Sequence, residues 1–98
     1  MPDTLTEART LLDQQKFEEA LELLKTVQPK DLTVRVSVAR ALSGLGHWEQ
    51  AHSMFSEAVE EDPDCHEAWA GRGLIYFLTG HFQQAAPDLA QAIEAAPM

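Results

Sequence analysis

The sequence predicts an all-α fold, a stack of three helix-turn-helix hairpins within one domain spanning residues 1–98. Three observations carry this. A short phrase occurs twice: residues 46–51 read GHWEQA and residues 80–85 read GHFQQA, 34 positions apart. Apolar residues recur at three- and four-residue steps, the spacing that places them on one face of a helix. The segments between are two to five residues long and carry glycine, proline and aspartate, so neighbouring helices must run antiparallel. Only TVRVSV (33–38) alternates like a strand. Val34, Val38, Ala41, Leu42 and Leu45 carry that stretch on at helical spacing, which makes it the start of a helix.

Six helical segments follow in order. The first covers about 5–14, with Thr4 and Glu7 spaced as a capping box. The second covers about 17–28, with Phe17, Ala20, Leu21, Leu24 and Val27 on one stripe and Pro29 behind it. Asp31 is placed to cap the third, about 32–44, and Gly44 and Gly46 permit a tight exit. The fourth runs about 48–61 and stops before Pro63. Asp64 and Glu67 form a second box-like cap for the fifth, about 65–78, which Gly80 closes. The sixth runs about 82–95 and ends before Pro97. Pro87 falls inside it, beyond the first turn, where it removes a backbone donor and predicts a local kink.

Shifting the chain by 34 residues superposes Gly46 on Gly80, Trp48 on Phe82, Ala51 on Ala85, Phe55 on Leu89, Ala58 on Ala92 and Pro63 on Pro97. The units are about 1–31, 32–65 and 66–98. The first is divergent: Gln15 stands in the glycine slot, and Ala20 lies 31 residues before Ala51, which predicts a shortened loop between units. Small residues explain themselves physically. Ala20, Ala51 and Ala85 cross Ala8, Ala39 and Gly73, letting helix axes approach to about 8–10 Å. The aromatics at 17, 48 and 82 plug the space beside each turn.

A helical hairpin repeating at this interval resembles the tetratricopeptide repeat across nearly the whole chain. Trp69, Gly73, Tyr76, Gly80, Phe82, Ala85, Leu89, Ala92 and Pro97 stand where that family's motif asks for them. The resemblance implies a right-handed superhelical stack, an α-α solenoid. It also implies a concave face, lined by the first helix of each hairpin, that holds a peptide or amphipathic helix of another protein. Carried over by position, that groove comprises Leu5, Arg9, Leu12, Val36, Arg40, Ser43, Ala70, Leu74 and Phe77. Arg9 and Arg40 are expected to meet acids on a partner. The basic clamp with which some family members grip the acidic C-termini of cytosolic heat-shock chaperones is absent, its places holding Leu5, Arg9, Ser37, Glu67 and Gly71. Apolar grooves of secretion-type chaperones are the nearer resemblance. Stacked repeats need a polar cap at the end, yet the sixth helix is alanine-rich with nothing behind it. Self-association through that helix, or a longer parent chain such as an enzyme that recruits substrate, are the alternatives.

Composition narrows the classes. Lysine and arginine number 7 against 16 aspartates and glutamates, a net charge of −9, and no third of the chain is basic. A nucleic-acid or anionic-membrane partner is therefore disfavoured. The lone Cys65 forms no internal disulfide and the N-terminus has no apolar run, so the cytoplasm is the expected compartment. His47, His52, His66 and His81 have no metal-ligand spacing, and Cys65 beside His66 or His52 is a poor nucleophile arrangement. No enzyme signature and no cofactor or metal site is expected.

Overall fold

The computed structural model describes residues 3–97. They form α1 (Thr4–Asp13), α2 (Phe17–Thr26), α3 (Leu32–Gly44), α4 (Trp48–Glu61), α5 (His66–Leu78) and α6 (Phe82–Ala95), with no strand among the described residues. Residues 1, 2 and 98, which the expected domain bounds include, lie outside them.

Two caps differ from expectation. The N-cap of α1 is Asp3, whose carboxylate accepts the Thr6 N–H at 2.7 Å, so the Thr4–Glu7 box does not form. That backbone bond holds the Asp3 carboxyl below its ordinary value. At α5 the N-cap is Cys65, with no side-chain bond. The preceding turn is closed by Asp62 instead, which accepts the Asp64 N–H at 3.0 Å and leaves Asp64 outside the helix. Asp31 caps α3 as expected, accepting from Val34 N–H at 3.0 Å.

The three hairpin turns share one hydrogen-bond pattern. His47 N–H donates to Leu42 C=O at 2.9 Å around Gly46, and His81 N–H donates to Tyr76 C=O at 2.7 Å around Gly80. Both glycines have φ near +83°, the left-handed conformation this helix end requires. Lys16 N–H donates to Leu11 C=O at 2.8 Å around Gln15, which takes φ +62° without being glycine. The divergent first unit therefore makes the same turn, at a steric cost of about 1 kcal/mol.

The missing residues of the first unit lie in a helix rather than a loop. Helix α2 has 10 residues where α4 has 14, while the connection that follows, 27–31, is one residue longer than 62–65. Lys30 Nζ donates to Leu24 C=O at 2.5 Å, satisfying a carbonyl near the early end of α2 with a cation. Arg35 and Trp69 occupy matching places and do the same work. Arg35 Nε donates to Lys30 C=O at 3.2 Å, and Trp69 Nε1 donates to Pro63 C=O at 2.7 Å.

Ala8, Ala20, Ala39, Ala51, Gly73 and Ala85 are all buried, as the crossing positions require. Phe55 lies at the centre of the main core. It packs so closely on α5 that a Cβ at Gly71 would come within 2.3 Å of its Cζ. The aromatic plugs are unequal. Phe17 is half-buried against the backbone of Gly44, whereas Phe82 is 60% exposed and lies edge-on to Phe77, ring centres 5.4 Å apart.

The first helices of successive hairpins touch, α1 on α3 and α3 on α5. Among the described residues no Cα of α2 comes within 8 Å of α4, nor any of α4 within 8 Å of α6. The stack is elongated, 41 × 27 × 21 Å, and its inner edge is built by α1, α3 and α5.

Candidate functional site: the inner groove

Two clefts of about 360 and 310 Å³ open on that inner edge. They share Arg40, Gly71 and Leu74, so they form one groove running across α1, α3 and α5. Its floor is apolar, from Leu12, Phe17, Phe55 and Gly71, with Leu74 49% exposed above it.

The rim carries two ion pairs. Arg9 Nη2 on α1 donates to Glu67 Oε1 on α5 at 2.8 Å, and Arg40 Nη2 on α3 donates to Asp13 Oδ1 at 3.2 Å. The two arginines expected to meet a partner's acids are thus each paired with an acid of their own chain. Pairs this exposed contribute about 0–1 kcal/mol. The Arg9–Glu67 pair nonetheless matters sterically, since it ties the first hairpin to the third across the groove.

Of the nine residues expected to line the groove, Arg9, Leu12, Arg40, Ser43, Ala70 and Leu74 come together there. Leu12 lies deep in the floor, being 2% exposed. Three lie elsewhere. Val36 is in the main core, Leu5 packs beside Ala8 and Leu24, and Phe77 stacks edge-on with Phe82 at the far end. Asp13, Phe17 and Phe55 also line the groove without having been expected there, as do Glu67 and Gly71, which had been placed only as positions of the absent clamp. Arg9 and Glu67 are 58 residues apart, and no periodicity links them. The positions of the absent clamp are explained: Ser37 is buried and donates to Thr33 C=O at 2.9 Å, and Glu67 is engaged by Arg9.

A second polar feature was not legible. Arg72 donates from Nε to Asp88 Oδ2 at 2.7 Å and from Nη2 to Asp88 Oδ1 at 2.9 Å. Its Nη1 reaches the Ser56 hydroxyl at 3.3 Å, and its guanidinium lies over the Trp69 ring at 5.2 Å. The pair with Asp88 raises the Arg72 pKa above its usual value. This bidentate pair bolts α6 to α5 with its carboxylate 5% exposed, a structural rather than a chemical role. Of the side chains considered for a nucleophile pair, Cys65 is a half-buried free thiol and His52 Nε2 lies 2.9 Å from the Tyr76 hydroxyl. Among the described residues no three His, Cys, Asp or Glu side chains are grouped to hold a metal. No described helix is long and apolar enough to cross a membrane.

Known proteins resemble this chain in both sequence and shape. The profile of the tetratricopeptide repeat matches residues 39–97. Human tetratricopeptide repeat protein 7A is 36% identical over 81 residues, covering 80% of this chain and 9% of that protein. The probable UDP-N-acetylglucosamine–peptide N-acetylglucosaminyltransferase SPINDLY of Hordeum vulgare is 36% identical over 102 residues, covering 97% of this chain and 10% of that protein. The chain thus spans about a tenth of the curated relatives it matches. The second such domain of Spaghetti (RPAP3), solved bound to the HSP90 peptide SRMEEVD, superposes with a TM-score of 0.76 at 18% identity, covering 96% of this chain and 84% of that one. With the profile matched across the second and third hairpins and the same turn geometry kept by the first, this chain belongs to the tetratricopeptide repeat family.

Proposed function

We propose that the inner groove docks an apolar-faced helix or extended segment of a partner protein, making the chain a non-enzymatic adaptor, scaffold or chaperone module. The fold is that of a protein–protein interaction module. The observation that carries the reading is the groove itself: an apolar floor with Leu74 standing exposed, rimmed by charges that are already paired. Such a site rewards apolar anchors. It disfavours an acidic chain terminus, which would have to displace Glu67 from Arg9. The cytoplasm is the compartment proposed for this role.

The test is selection from a displayed peptide library on the immobilised chain, repeated with Leu74→Asp. Enriched peptides should share spaced apolar residues and lose binding to Leu74→Asp. Peptides that bind both proteins equally would remove the groove from the reading.

A second reading has its own observation. Phe82, Leu89 and Ile93 leave an exposed apolar stripe along α6. Self-association through it is the alternative, and sedimentation equilibrium checks it. A mass that rises with concentration and reverts in Ile93→Asp would favour it over the groove.

A further inference from the structure

A third cleft, of about 460 Å³, opens on the outer side where α4 meets α5 and the turn into α6. Trp48, His52, Ile75, Tyr76 and His81 line it, and Glu49 stands at its edge. The walls are mostly aromatic and aliphatic, with the hydroxyl residues Ser53 and Thr79 also on them, and the one carboxylate forms no ion pair with a cation of the chain among the described residues. Trp48 is held by its indole N–H, which donates to Ser43 C=O at 3.2 Å, and its ring is 39% exposed. Tyr76 is fixed by His52 and His81, both edge-on at 5.1 and 6.2 Å between ring centres. The same ring already has the Arg72 guanidinium 6.0 Å from its centre.

The fold does not require this arrangement. The matching place between the first and second hairpins holds Phe17, Glu18, Leu21, Ala41, Leu42 and His47. There Leu21 and Leu42 pack into the core. Exchanging those leucines for His52 and Tyr76 replaces an apolar seam with an aromatic cleft beside an acid.

We propose that this outer cleft binds the cationic side chain of an arginine or lysine on a partner protein. The aliphatic stem lies along Ile75 and the aromatic walls, and the charged head meets the Trp48 ring and the Glu49 carboxylate. Aromatic faces attract cations, and indole most strongly. The net charge of −9 favours approach of a basic segment. The site is separate from the inner groove and does not depend on it.

The test follows the Trp48 indole N–H signal by NMR in the full chain. The probes are N-acetyl-arginine methylamide, N-acetyl-lysine methylamide, the uncharged N-acetyl-norleucine methylamide and choline. Saturable shifts are expected with the first two and none with norleucine at the same concentration. Glu49→Gln should weaken binding about threefold. The double variant H52L/Y76L copies the first junction; it should keep its far-UV spectrum and lose binding by at least about fivefold. Norleucine binding as well as arginine would mean a merely apolar slot and overturn the proposal. So would binding retained in H52L/Y76L, and so would choline binding more tightly than either side-chain probe, which would assign the cleft to a free quaternary ammonium.

Discussion

Helices α4 and α6 carry the same pattern and meet opposite fates. Phe55 and Val59 on α4 are buried, 0% and 7% exposed. Their counterparts 34 residues on, Leu89 and Ile93, are 37% and 77% exposed. The chemistry of the positions is alike. What differs is the neighbour: α5 of the following hairpin lies over Phe55, with Gly71 cut away to admit the ring, while among the described residues Leu89 packs on Gly73 of its own hairpin's α5 and no following unit covers it. A repeat helix is written with two apolar sides, and burial of the second depends on a unit outside its own hairpin.

The largest expected effect tests that difference directly. Phe55→Ala should destabilise by about 4 kcal/mol, because it empties the centre of the core. Leu89→Ala should cost under about 1 kcal/mol. Urea unfolding followed by circular dichroism compares the two, and equal losses would show that α6 is covered in solution. The next effect concerns what holds α6 in place of a deep core. Asp88→Ala should cost about 3 kcal/mol, by leaving Arg72 without its partner, while the paired change R72M/D88L should come near neutral. A similar loss for both would assign the stabilisation to packing.

A smaller effect separates the first turn from the other two. Gln15→Gly should stabilise by about 1 kcal/mol, since it relieves the left-handed conformation that Gly46 and Gly80 adopt freely; Gly80→Ala should destabilise by a similar amount. Thermal melts of both variants read the sign. The smallest effect belongs to the Arg35–Glu61 pair on the second hairpin, for which the third has Trp69 instead. Hydrogen bonding to Arg35 lowers the Glu61 pKa from its ordinary 4.5. A lowered carboxylate pKa stabilises the fold above 4.5 and loses that contribution as pH falls through the folded value. Glu61→Gln should therefore narrow the gap to wild type in melts taken below pH 4.5 and widen it at neutrality.

The helices were readable because their determinants are local. Asp31, Gly46 and Gly80 act on the residues beside them, and α3, α4 and α6 begin and end where the pattern says. The caps of α1 and α5 escaped because two capping side chains compete in each turn, Asp3 against Thr4 and Asp62 against Asp64, and only geometry decides. The groove was half-readable. Family position brought Arg40, Ala70 and Leu74 to the right face, but carried Val36 with them, because helical position alone does not tell a floor residue from a core one. The ion pairs were invisible. Arg9 to Glu67 and Arg72 to Asp88 join different helices, and charge on a sequence does not announce its partner.

Each outer helix is anchored inward rather than sideways: α2 packs on α3 and α4 on α5, while among the described residues α2, α4 and α6 make no backbone contact with one another. Every joint between hairpins therefore runs through an inner helix, like tiles nailed to the batten beneath and never to the next tile. The inner helices α3 and α5 are thus the elements that the two faces of the stack have in common.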